Sequence, residues 1–144
     1  ACHAIDRELD GARVHRAGRD VTLVTYGASV WRCVAAAETL AAGGIDAEIV
    51  DLRSLRPLDD ATILASVRKT RRVVIVDEGW RTASLAAEVG LRIVEQGFYD
   101  LGAPVARVCS EEVPIPYPKH LEDAALPSLE RIVAAVRRLF SDAK

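Results

Sequence analysis

Asp77, Glu78, Trp80 and Arg81 stand together around Gly79, directly after the apolar run Val73-Val74-Ile75-Val76. Side chains just past the carboxyl end of a central strand are where α/β proteins gather functional groups. Such a cluster could line a ligand pocket or meet a second subunit. It could also close its own loop, with Trp80 capping the core edge and Arg81 pairing with Glu78. A second candidate is Gly27-Ala28-Ser29, a strand-to-helix turn shaped like a serine-hydrolase elbow. Ser29, Asp100 and His120 follow the chain order of a hydrolase triad. However, that elbow needs a small residue two places after its serine, and Trp31 stands there. Dinucleotide binding fares no better: Asp51 is placed as a ribose-binding acid would be, yet the turn has one glycine, Gly27, where the fingerprint wants three.

A third candidate is Val113-Pro-Ile-Pro-Tyr-Pro-Lys-His-Leu-Glu122. Alternating prolines stiffen the chain, so little entropy is lost when it docks. A stiff segment displaying Pro116, Tyr117, Lys119 and His120 suits a protein contact better than a flexible lid. Both this segment and the Asp77–Arg81 corner point to contact surface.

The remaining polar clusters have plainer readings. Arg68-Lys69-Thr70-Arg71-Arg72 fits a helix C-terminus complemented by cations. His3, His15 and His120 have no partners at metal-ligand spacing. Three scattered cysteines, Cys2, Cys33 and Cys109, make neither a disulfide framework nor a metal site, and a reduced, cytoplasmic setting is expected. A net charge of -2 gives no electrostatic reason to expect nucleic acid or an anionic membrane. No apolar run approaches the ~20 residues of a membrane helix. The 144 residues suit one domain. The chain starts at Ala1 and has no methionine, which reads as a trimmed or processed chain, or a piece of a longer one.

The elements that must position these residues alternate along the chain. Val21–Tyr26, rich in β-branched residues, reads as a strand ending at Gly27. A helix over Ser29–Ala42 stops at Gly43-Gly44. A strand over Ile45–Asp51 leads through a Pro57-containing loop to a helix that starts at Asp59-Asp60 and runs to about Lys69. Then come a strand over Arg72–Val76, a helix over Thr82–Gln96, and a strand over Val105–Cys109. The proline loop spans Ser110–Leu126. A last helix from Pro127 to Phe140 carries the apolar stripe Leu129, Ile132, Val133, Val136, Leu139 and Phe140. Four βα units in series imply a parallel sheet covered by helices on both faces. Residues 1–18 read as a tail or linker, with Ala12–Arg16 long enough to add an edge strand. Residues 19–144 read as one doubly wound, three-layer α/β domain.

The stretches DVTLVTYGASV, AEIVDLRSLRPLDDATILASVRKTRRVVIVDEGWRTASLAAEV and APVARVCSEEVPIPYPKHLEDAALPSLERIVAAVR together resemble the C-terminal domain of the β subunit of 2-oxo acid dehydrogenases. These are the thiamine-diphosphate-dependent first components of the pyruvate, branched-chain 2-oxo acid and acetoin dehydrogenase multienzyme complexes. The resemblance implies a mostly parallel sheet of about five strands with one antiparallel edge strand, as in transketolase. It also implies that thiamine diphosphate and magnesium bind outside this domain, and that no catalytic, cofactor or metal residue lies in it. The implied partners are a second β subunit, the α subunits of a heterotetramer and the dihydrolipoyl acyltransferase core. Asp77, Glu78, Trp80, Arg81, Pro116, Tyr117, Lys119 and His120 are then expected at a subunit boundary. The chain departs from the pattern at Ala83-Ser84-Leu85-Ala86-Ala87-Glu88, where many members have GGFGAE. The alternative expectation is a free-standing small-ligand-binding domain, with the sheet mouth as its pocket.

Overall fold

The structure, a computed structural model, describes residues 11–141. Its sheet has five strands: β1 (Arg13–Arg16), β2 (Val21–Thr25), β3 (Ala47–Asp51), β4 (Val73–Trp80) and β5 (Ala106–Ser110), in the order β1-β3-β2-β4-β5. Strands β3, β2, β4 and β5 are parallel, and β1 lies antiparallel on β3 with Arg13 opposite Asp51. The five helices are α1 (Ser29–Ala42), α2 (Asp60–Thr70), α3 (Leu85–Gly97), α4 (Lys119–Ala125) and α5 (Leu129–Ser141), with a 3₁₀ turn at Phe98–Asp100.

The run Val73–Val76 is apolar without alternation because both faces of β4 are covered. Val74 and Val76 join the core under α1 and α5, with Leu40 and Ile132. Val73 and Ile75 join the opposite core under α2 and α3, with Ile63 and Ile93. Successive side chains thus alternate between two cores, giving helix, sheet and helix layers.

The edge strand expected within the Ala12–Arg16 part of the tail segment is β1, antiparallel on β3. Arg16 donates to the Ala47 carbonyl and pairs with Asp46 at 3.3 Å. Residues 1–10, including Cys2 and His3, lie outside the described residues.

Two boundaries differ from the expected ones by more than two residues, each for a local reason. Strand β4 continues through Asp77-Glu78-Gly79-Trp80, because pairing with β5 resumes at Trp80 opposite Ser110 after a bulge. Helix α3 starts at Leu85, not Thr82, because Ala83 sits at φ 56° and no right-handed helix passes through such a residue. The proline loop also contains a helix that was not expected, α4, held by Leu121 and Glu122 amides donating to the Pro118 carbonyl.

The basic run ends α2 as anticipated. Arg68 pairs with Asp100 at 3.1 Å, Lys69 pairs with the buried Glu48, and Arg72 stacks over the Phe140 ring at 4.4 Å. At the other end of α2, Asp59 Oδ1 accepts from the Thr62 amide at 3.0 Å, capping the first turn. The Thr62 hydroxyl, with the Thr62, Ala12 and Ala61 amides, holds the Asp59 carboxyl below its usual value.

Candidate subunit-contact surface

The strand order reverses beside β2, whose chain continues toward β3 on one side while β4 lies on the other. Crevices at such switch points, outside the carboxyl ends of the strands, are where open α/β sheets take ligands. Here two side-chain bonds bridge the crevice. The Tyr26 hydroxyl donates to Asp77 Oδ1 at 2.7 Å, and Ser29 Oγ donates to Glu78 Oε1 at 3.1 Å. The sheet mouth is therefore filled by the protein's own polar groups.

Asp77 is the hub. It is 1% exposed, and besides Tyr26 it accepts from the Gly79 amide at 2.7 Å and, through Oδ2, from the Ala86 amide at 3.0 Å. One carboxylate thus ties the end of β2, the β4 bulge and the first turn of α3. Glycine at 79 follows from this, since a Cβ there would sit 3.1 Å from Asp77 Oδ1. Burial, then the hydrogen bond and charge of Asp77, push the Tyr26 phenol well above its usual range, so it stays a donor. Glu78 is half-buried and lies 3.7 Å from Arg32.

Asp77, expected at a subunit boundary, has both carboxylate oxygens bonded within its own domain. The Glu78–Arg81 pair does not form. The Arg81 guanidinium turns to β5 and donates to the Arg107 carbonyl at 3.0 Å. Ser29, Asp100 and His120 do not assemble as a triad, because Ser29 is held by Glu78, Asp100 by Arg68, and His120 is exposed.

Trp80 and the proline segment do come together. The Trp80 indole N–H donates to the Val113 carbonyl at 3.3 Å while its ring stays half-exposed. The Thr82 amide donates to Glu112 at 2.9 Å, and the Glu111 amide to Ala125 at 2.8 Å, so the segment is tied to the sheet and closed at its base. Tyr117 is fully exposed. Val113, Ile115 and Leu121 are exposed as well, which the sequence reading did not single out. Their signal was present in the alternation of Val113, Ile115 and Tyr117 with prolines. Pro116 is partly buried, and Lys119 pairs with Asp123 at 3.1 Å.

Among the described residues no three His, Cys, Asp or Glu side chains are grouped to hold a metal, and no helix is long and apolar enough to cross a membrane.

This architecture, a five-stranded, mostly parallel sheet with one antiparallel edge between helix layers, is that of a transketolase-type C-terminal domain. The chain belongs to the family "Transketolase, C-terminal domain", which matches residues 10–132. Within it, the chain is 50% identical over 127 residues to the pyruvate dehydrogenase E1 component subunit beta-1, mitochondrial, of Arabidopsis thaliana, covering 88% of this chain and 35% of that protein. It is 44% identical over 133 residues to the β subunit of the acetoin:2,6-dichlorophenolindophenol oxidoreductase of Cupriavidus necator, covering 92% and 39%. A solved split-gene transketolase, described as an inactive β4 tetramer, superposes with a TM-score of 0.80 at 30% identity, over 92% of this chain and 43% of that one. The chain thus spans between a third and two-fifths of the two named relatives' lengths.

Proposed function

We propose that this chain is the C-terminal subunit-contact domain of a thiamine-diphosphate-dependent 2-oxo acid dehydrogenase β subunit. The assembled enzyme decarboxylates a 2-oxo acid and acylates lipoamide. In this reading the domain packs against a second β subunit and the α subunits and offers a surface to the acyltransferase core. The setting is cytoplasmic, in keeping with two buried free thiols, Cys33 and Cys109. Thiamine diphosphate and magnesium belong to the rest of the enzyme. The mouth of this sheet does not fit a diphosphate, because it presents Asp77 and Glu78, two carboxylates already engaged by Tyr26 and Ser29.

The observation that carries the reading is the half-exposed Trp80, bonded to the Val113 carbonyl of a proline-stiffened segment that also exposes Val113, Ile115, Tyr117 and Leu121. Neighbouring exposed apolar side chains of this kind mark interaction sites. Tryptophan and tyrosine are the residues that most often dominate interface energetics. The test is Tyr117→Ala in the β subunit assembled with its α partner. Since Tyr117 makes no buried contact, the unfolding midpoint of the chain should stay unchanged, while assembly weakens by about 2 kcal/mol, roughly 30-fold. Unchanged assembly would remove the proline segment from the interface.

A further inference from the structure

Three arginines surround one cavity on the far side of β5. The cavity has a volume of about 310 Å³ and is lined by Arg81, Arg107 and Arg138, over an apolar floor that includes Pro104, Ala135 and Leu139. The three cations come from separate parts of the fold: the residue after β4, the edge strand β5, and the last turn of α5. Arg81 and Arg107 are fixed by a reciprocal exchange, each Nη1 donating to the other's backbone carbonyl at 3.0 Å. Each guanidinium has five N–H donors, so most of both forks remain available.

No carboxylate pairs with any of the three among the described residues. The contrast with their neighbour Arg131 is informative, because that side chain has Glu111 at 3.2 Å and the Cys109 carbonyl at 2.7 Å. Nor does the cluster reflect a generally basic protein, since the chain carries a net charge of -2. Three like charges converging on a partly apolar recess repel one another, and an anion seated between them relieves that repulsion. Planar guanidinium forks match carboxylate and phosphate oxygens in pairs, and a low-dielectric floor strengthens each contact.

We propose that the Arg81–Arg107–Arg138 cavity binds a small polyanion, a ligand with two or more phosphate or carboxylate groups. Its volume lies at the small end of the range for ligand sites, about 300–1,000 Å³, so the ligand is compact. Arg81 directly follows Trp80, so the cavity borders the proposed contact corner, while its lining includes neither Trp80 nor Tyr117.

Calorimetric titration of the chain with inorganic pyrophosphate and, separately, with citrate tests this directly. Saturable binding at one site is expected for at least one of them: pyrophosphate assigns a phosphate ligand, citrate a carboxylate ligand. Arg138→Gln should weaken that binding about tenfold, the scale of one charge-assisted contact. Arg138 is exposed on α5 and its side chain has no hydrogen-bond or ion-pair partner among the described residues, so the variant should stay folded. Arg138→Lys, which keeps the charge and loses the fork, should show a smaller loss. Arg13→Gln, on β1 at the opposite edge of the sheet, should leave binding within about twofold of the parent. Absence of saturable binding by both anions overturns the proposal. So does an Arg13→Gln loss as large as that of Arg138→Gln, which would make the binding diffuse electrostatics.

Discussion

Replacing Asp77 should unfasten the corner on which the contact surface is built. Its carboxylate accepts three hydrogen bonds, from the Tyr26 hydroxyl, the Gly79 amide and the Ala86 amide. Hydrogen bonds to a charged group contribute about 1.5–3 kcal/mol each, and a buried donor left without a partner costs about 1–3 kcal/mol. Water can reach the partly exposed Tyr26, so the two backbone donors dominate. Asp77→Ala should therefore cost about 4 kcal/mol, a large part of the ~5–15 kcal/mol that holds a domain of this size folded. Asp77→Asn is the sharper test because it keeps the shape. An amide retains one acceptor oxygen, enough for Tyr26 and Gly79, but turns an N–H₂ toward the Ala86 amide. The expected loss is about 2 kcal/mol in urea unfolding. The loss should be local as well as global: hydrogen exchange at Ala86 should accelerate roughly 30-fold as the first turn of α3 loses its cap. A change under about 0.5 kcal/mol with Ala86 still protected would refute the view of Asp77 as the hub.

Two further outcomes concern the same corner. Ala83 stands exposed at φ 56°, where an L side chain costs about 1–2 kcal/mol; Ala83→Gly should raise stability by about 0.5–1 kcal/mol after the added backbone entropy, measured by denaturant midpoint. The Tyr26 phenol is raised in the folded state, so its contribution is fully present below pH ~10, where the unfolded phenol begins to ionise, and is lost progressively above that. Stability should fall from about pH 10 upward, and Tyr26→Phe should flatten that fall; an unaltered slope in the variant would assign the alkaline loss to other groups.

Most of the fold was legible because its signals are periodic and local. Helix α1 begins and ends where the serine and the glycine pair place it, and the stripe on α5 packs as the spacing implies. The end of β4 was not legible. Aspartate, glutamate and glycine are poor strand residues, and only partners distant in sequence make them acceptable there. Tyr26 and Ser29 satisfy the carboxylates, and Ser110 Oγ bonds the Glu78 carbonyl at 2.7 Å across the bulge. Helix α4 was hidden for a different reason: Ala125 is its one buried residue, so there is no apolar stripe to read. The late start of α3 had a clue in the GGFGAE comparison. Glycine at the position of Ala83 suits a left-handed residue, a requirement that chain composition alone does not reveal.

The roles within the corner divide between inside and outside, and this division explains its composition. An exposed arginine–glutamate pair is worth only about 0–1 kcal/mol, too little to justify four functional side chains by stability alone. The carboxylates instead work inward: Asp77 organises three backbone segments, and Glu78 takes Ser29 and Arg32. That leaves Trp80 as the residue that emerges, held by its indole bond to Val113 so that sheet and proline segment present one surface. In the proposed reading, a partner meeting the surface finds aromatic and aliphatic groups on a frame whose Asp77 carboxylate is already engaged. Binding then requires neither stripping Asp77 of water nor ordering a loose loop, two of the main penalties in association. In that reading, the acidic pair in the sequence supports the contact, and the tryptophan beside it makes it.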